Sequence, residues 1–146
     1  MKVLFVCTGN SARSQMAEAF ARHYGKGRVE ASSAGLDPKG LHPLTTKVMA
    51  EKGIDVSHQE SKALTEEMVQ EADVIVTVCG HADHHCPALP SGARKVHWPI
   101  EDPALVSDRT PEEVLSAFRR ARDDLESRIR NFLSMLGREN AGTLAR

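Results

Sequence analysis

Cys7-Thr8-Gly9-Asn10-Ser11-Ala12-Arg13 sits directly between the apolar run Val3–Val6 and a helix-like stretch that begins Ser14-Gln15-Met16-Ala17-Glu18. A cysteine, five mostly small residues and an arginine, wedged between a strand and a helix start, meet the needs of a tetrahedral oxyanion. Cys7 is the expected nucleophile. The successive backbone N–H groups of Thr8, Gly9, Asn10, Ser11 and Ala12 can wrap the anion, and Arg13 offers a planar fork of donors. The positive end of the following helix favours both the anion and the ionised form of Cys7. Ser14 has two candidate roles, a hydrogen bond to Cys7 or a plain helix cap worth ~1 kcal/mol. The segment lacks the Lys-Ser/Thr ending of a nucleotide-binding loop, which argues against ATP or GTP. The alternative is a turn that opens with a buried cysteine acting as a small hydrophobe. The preceding strand, Gly9, the hydroxyls of Thr8, Ser11 and Ser14, and Arg13 all oppose it.

Two more cysteines, Cys79 and Cys86, lie in a Gly/Asp/His/Pro-rich stretch, too far apart for a thioredoxin-type C-x-x-C pair. They have three candidate roles. They can be inert thiols, or metal ligands together with His81, His84 or His85. The adjacency of His84 and His85 and the missing paired spacings count against a metal. They can also form a redox relay, in which Cys79 attacks a Cys7 adduct and Cys86 resolves the resulting disulfide. Only the relay uses all three cysteines. Asp102, in Glu101-Asp102-Pro103, is a candidate general acid for a departing hydroxyl or alkoxide. Its alternative is a solvated turn carboxylate before proline.

These groups need elements to position them. Met1–Val6 is an apolar run interrupted only by Lys2, the pattern of a strand buried on both faces. A helix is expected over Ser14–Tyr24, ended by Gly25 and Gly27, then a strand over Val29–Ala34 closing at Gly35. A helix over Pro43–Lys52 has Pro43 near its first position and Gly53 as its stop. A short helix over Thr65–Glu71 follows, and a buried strand over Ala72–Val78 delivers the chain to Cys79. Lys95–Trp98 reads as a short strand before the Asp102 loop. The last helix is capped by Thr110, begins at Pro111 and carries apolar residues at helical spacing from Val114 to Leu136. Gly137 is its expected end, with 138–146 a flexible tail beyond a single domain over 1–137. Strands alternating with helices predict an α/β fold with a mostly parallel sheet. Ligands of such sheets bind beyond the carboxyl ends of the strands, where Cys7 and Cys79 both fall.

The 146 residues, 40% hydrophobic and 27% charged, suit one soluble globular domain. A formal charge of −1 with dispersed basic residues leaves no footprint for nucleic acid. No apolar stretch is long enough to span a bilayer, and the N-terminus has no leader pattern. A cytoplasmic, reducing location is therefore expected, in which cysteines are reactive or metal-binding before they are structural.

The Cys7–Ser14 loop together with Asp102-Pro103 resembles the low-molecular-weight protein tyrosine phosphatases. Its extension through Gln15-Met16-Ala17-Glu18, with Val76-Thr77-Val78-Cys79 and Cys86-Pro87, is similar to the thioredoxin-coupled arsenate reductases built on that fold. The resemblance runs from Lys2 to about Leu136. It implies a three-layer α/β/α sandwich around a four-stranded, mostly parallel sheet. It also implies reduction of arsenate to arsenite, with no cofactor. Cys7 would form an arsenic adduct, Asp102 would protonate the leaving hydroxide, and Cys79 would then displace arsenite. Cys86 would move the disulfide outward for thioredoxin or a similar dithiol to reduce, in a monomer. A phosphatase in which Cys79 and Cys86 guard Cys7 against oxidation is the rival, and a metal- or arsenic-binding sensor a more distant one. Ala12 stands where some relatives carry a fourth cysteine. Some members hold potassium near the loop through equivalents of Asn10, Glu18, Ser33 and an aspartate, whose place is taken here by Lys62. A lysine ammonium there predicts weak or absent potassium dependence; a solvated Lys62 stem is the alternative.

Overall fold

The computed structural model describes residues 1–80, 82, 93–104 and 109–144, with side chains described as far as Gly137. Strand β1 (Lys2–Cys7) is followed by helix α1 (Arg13–Tyr24), strand β2 (Glu30–Gly35) and helices α2 (Pro43–Ala50) and α3 (Glu66–Glu71). Strand β3 (Val74–Thr77), strand β4 (Arg94–His97) and the long helix α4 (Pro111–Leu144) complete the order. The sheet runs β2-β1-β3-β4, and every neighbouring pair is parallel, Val6 lying beside Ala34 on one side and Thr77 on the other. From β1 the chain steps to β2 on one side and later to β3 on the other. The carboxyl ends of β1 and β3 thus flank the point where strand order reverses, the usual crevice for a ligand.

β1 is buried from Val3 to Cys7 because the sheet is covered on both faces, α1 and α4 packing together and α3 lying against β1. Phe20, Met16, Phe118, Leu125 and Ile129 are almost fully buried. Each such side chain contributes ~1.5–3 kcal/mol relative to exposure. α4 opens with a reciprocal cap: the Glu113 N–H donates to Thr110 Oγ1 (3.2 Å) and the Thr110 N–H to Glu113 Oε1 (3.4 Å). α3 begins at Thr65, whose hydroxyl oxygen accepts from the Met68 N–H.

The expected stop at Gly137 does not occur, and the α4 backbone continues to Leu144. Gly137 does not take the left-handed conformation that closes a helix, unlike Gly53 beyond α2 at φ +75°. An interior glycine costs only ~1 kcal/mol, too little to break a helix this long.

Candidate active site

The loop from Cys7 to Ala12 is shaped from outside by residues 36–45, which form a strap over it. The Cys7 carbonyl accepts from the Leu36 N–H, Thr8 from Asp37 and Gly9 from Lys39. The Asn10 carbonyl accepts from Gln15 Nε2, and that of Ser11 from the His42 N–H and the Thr45 hydroxyl. Across a trans peptide the N–H points opposite to the C=O, and none of the described peptide bonds is cis. Five carbonyls held outward therefore turn the N–H groups of Thr8, Gly9, Asn10, Ser11 and Ala12 toward the pocket. One of them, from Asn10, donates to Cys7 Sγ at 3.2 Å. Asn10 reaches this geometry in the left-handed region, φ 46°, which asparagine tolerates better than most residues. α1 starts at Arg13 with Ala12 as its cap residue and no side-chain cap, so the positive helix end opens onto the loop.

Ser14 is not that cap. It is fully buried in the first turn, with Oγ 2.9 Å from Cys7 Sγ. The direction of its hydroxyl is set by a chain that begins at Glu18. The Glu18 carboxylate only accepts, so the Ser33 hydroxyl donates to it (2.7 Å). Ser33 Oγ and Ser14 Oγ then accept the two hydrogens of Asn10 Nδ2, at 3.0 and 2.8 Å. The Ser14 hydrogen is left for Cys7 Sγ. The Asn10 amide cannot reverse, because its Oδ1 accepts from the Lys62 N–H and from Gln15 Nε2. Gln15 is clamped in turn by Gln59 Nε2, 2.7 Å from Gln15 Oε1. Two donors thus stabilise negative charge on Cys7 Sγ, and every hydrogen between Glu18 and Cys7 is committed. Glu18 itself is buried, 3.2 Å from Arg22 and 4.0 Å from Lys62 Nζ.

On the far side of the pocket Arg13 Nη1 donates to the Ile100 carbonyl (2.9 Å) and the Val78 carbonyl (3.4 Å). Its Nη2 lies 3.4 Å from Asp102 Oδ2. The Asp102 carboxylate is oriented by the Ala104 N–H, 2.9 Å from Oδ1. Cys79 Sγ meets the Thr8 hydroxyl at 3.4 Å and accepts from the Ala82 N–H at 3.3 Å. Cys7, Arg13, Asp102 and the loop residues line one pocket of about 380 Å³, with Lys39 and His42 at its edge. Arg13 and Lys39 are the cationic side chains of its lining, and Asp102 is its one carboxylate among the described residues. Cys86, His81, His84 and His85 lie outside the described residues. Among the described residues no cluster of His, Cys, Asp and Glu suits a metal ion.

The sequence profile of the family described as low molecular weight phosphotyrosine protein phosphatase matches residues 2–142, nearly the whole chain. The chain belongs to that family. Within this phosphatase family it is 45% identical to a protein named arsenate reductase from Halalkalibacterium halodurans, over 89% of this chain and 93% of the relative. Among solved structures it resembles an arginine phosphatase from Geobacillus stearothermophilus, with TM-score 0.80, 28% identity and coverage of 97% and 96%. A thioredoxin-dependent arsenate reductase from Corynebacterium glutamicum superposes with TM-score 0.77 at 29% identity, covering 94% of this chain and 62% of that one. Family membership also fixes the fold, the phosphatase-type parallel sheet.

The phosphatase-family loop depends on residues that its sequence motif does not contain. Gly35 is one: a Cβ there would fall 2.7 Å from the Thr8 carbonyl oxygen and 2.9 Å from the Asn10 nitrogen. From sequence it marks only the end of β2. Gln15, Gln59 and the strap around His42 are others. They meet the loop only in three dimensions, and the position of Gln15 immediately after the loop is the only local signal any of them carries.

Proposed function

We propose that the chain reduces arsenate to arsenite. The observation that supports this best is a second thiol beside the nucleophile's loop, Cys79 Sγ at 3.4 Å from the Thr8 hydroxyl. A phosphatase, whose adduct is released by water, has no need of it. The arginine phosphatase likeness keeps simple ester hydrolysis as the second reading, because both chemistries share the first attack.

Arsenate enters with its oxygens on the loop amides and the Arg13 fork. The Cys7 thiolate attacks arsenic, an As–O bond breaks, and Asp102 gives its proton to the departing hydroxide, which leaves as water. The Cys79 thiolate then attacks Cys7 Sγ. The S–As pair stays on arsenic, which falls from As(V) to As(III) and departs as arsenite, while the two thiols are oxidised to a Cys7–Cys79 disulfide. Cys86 attacks Cys79 and frees Cys7 as thiolate, and a thioredoxin-type dithiol reduces the outer disulfide. A thioredoxin-dependent structural relative supports that donor. Every group named comes from one chain, so a monomer suffices, and the cytoplasm supplies the reducing conditions.

The oxygens of Asn10, Ser33 and Glu18 do not fit a potassium shell, since each already accepts from a protein donor and the Lys62 ammonium stands 4.0 Å from Glu18. Turnover should be the same in potassium and sodium salts at equal ionic strength; a strong rise in potassium would refute the substitution by Lys62. The central test is Cys79→Ser in a coupled assay with thioredoxin, thioredoxin reductase and NADPH. Arsenate turnover should vanish while hydrolysis of p-nitrophenyl phosphate by Cys7 survives. Continued arsenate turnover, or none in the parent protein, would leave the phosphatase reading.

A further inference from the structure

α2 is capped by a histidine. His42 has extended backbone, φ −71° and ψ 134°, and its Nδ1 accepts from the Leu44 N–H at 3.0 Å. Asparagine, aspartate and serine usually hold this position because their oxygens accept at any neutral pH. An imidazole nitrogen accepts only while it carries no proton. The ring is held in place by Phe118 of α4, 4.7 Å between centroids. The same residue anchors the oxyanion loop, since its N–H donates to the Ser11 carbonyl, and Thr45, one turn into α2, donates its hydroxyl to that carbonyl at 2.8 Å. One residue thus caps a helix through its side chain and aims the Ser11-Ala12 peptide through its backbone.

We propose that His42 is a pH-sensitive positioning residue, whose unprotonated Nδ1 caps α2 and thereby holds the Ser11 carbonyl outward and the Ala12 N–H inward. Protonation places a hydrogen on Nδ1 facing the Leu44 N–H. Two donors then oppose each other at a distance that needs a donor and an acceptor. The first turn of α2 loosens, and with it both bonds to the Ser11 carbonyl.

Among the described residues the charged groups around the ring are few. The Cys7 loop offers Cys7 and Arg13, the latter paired with Asp102. The strap offers Lys39, paired with Asp37 at 2.7 Å. On α4 the ring meets the uncharged Phe118, while Arg119 and Arg122 are both engaged by Glu51. Burial pushes the His42 imidazole below its ordinary value, and the Asp102 carboxylate opposes that shift. Because the unfolded chain takes up the proton first, the fold loses stability as pH falls below about 6.5 and on toward the lowered native value.

The inference rests on the loop being an oxyanion site, and inorganic phosphate probes that without any redox step. Binding is measured by calorimetry from pH 5 to 8 for wild type, His42→Asn and His42→Ala. Asparagine keeps an acceptor that does not titrate, and alanine removes it. The ratio of wild-type to His42→Asn affinity should fall as pH drops from 8 toward 5 and the imidazole takes up its proton, approaching about fivefold, the equivalent of a helix cap, once it is charged. The ratio of His42→Ala to His42→Asn should be low at both ends. The Leu44 amide resonance should titrate with the imidazole in wild type and stay still in His42→Asn. A flat wild-type to asparagine ratio, or a Leu44 resonance indifferent to pH, overturns the proposal. Phosphate bound by none of the three proteins at any pH would instead overturn the oxyanion site itself, and this proposal with it.

Discussion

Replacing Ser14 by alanine removes the last link between Glu18 and Cys7, together with the oxygen that accepts from Asn10 Nδ2. The hydroxyl is fully buried, 2.9 Å from Sγ and 2.8 Å from Asn10 Nδ2, so no water takes its place without rearrangement. A hydrogen bond to a charged group contributes ~1.5–3 kcal/mol. At 1.36 kcal/mol per decade, losing it should slow attack by the Cys7 sulfur about 10- to 150-fold. The Asn10 N–H remains on the sulfur and keeps the effect short of complete loss. Stability should fall by ~1–3 kcal/mol, because the buried Asn10 Nδ2 loses the oxygen that accepts one of its hydrogens, and the better helix propensity of alanine offsets only part of that. The cleanest assay is the rate of iodoacetamide capture of Cys7 at neutral pH, with Cys79 and Cys86 both replaced by serine so that one thiol reports. Ser33→Ala, two links further along, should slow capture less. Equal capture rates with and without the Ser14 hydroxyl would refute the chain, and so would a larger loss from Ser33→Ala than from Ser14→Ala.

Gly35→Ala puts a methyl group 2.7 Å from the Thr8 carbonyl oxygen and 2.9 Å from the Asn10 nitrogen, both backbone atoms of the loop. Overpacking of this kind costs ~1–3 kcal/mol, and phosphate affinity measured by calorimetry should fall about tenfold or more; unchanged affinity would show that the loop is not shaped by that contact. Glu51 is held at about 2, against an ordinary 4.5, first by its hydrogen bond from Arg119 and then by Arg122. A depressed carboxylate stabilises the fold above its unfolded value and loses that contribution as pH falls. The difference in urea midpoint between wild type and Glu51→Gln should therefore shrink as pH is lowered from about 4.5 toward 2, and a difference constant with pH would contradict the pairing.

Much of the site was legible because its groups are neighbours in sequence. Cys7, the loop amides, Arg13 and Ser14 form one local unit whose spacing suggests the chemistry proposed for it. Local signals also placed α1, α2, α3 and the start of α4, through Thr65, Pro43, Thr110 and apolar periodicity. Ser14 carries two candidate roles in the sequence, a bond to Cys7 or a helix cap, and the packing of Ser33 and Asn10 around it turns the hydroxyl to Cys7. Gly137 shows where such signals mislead. A glycine after a helical stripe reads as a stop, yet it stops a helix only when the backbone adopts the left-handed turn.

By itself the sequence determined the candidate nucleophile, the candidate anion-binding loop and the order of strands and helices, because these follow from the spacing of near neighbours and from the two periodicities of the backbone. Only the tertiary structure decided which way the loop faces and which hydrogens reach the sulfur. Those outcomes rest on Leu36, Asp37, Lys39, His42 and Thr45 catching the loop's carbonyls, and on Glu18 orienting Ser33, Asn10 and Ser14 in turn. They also rest on β3 bringing Cys79 to Thr8, 71 residues away. Such contacts have no period and leave no trace in local composition. They exist because a parallel sheet gathers the carboxyl ends of separate strands at one edge, where distant residues become neighbours.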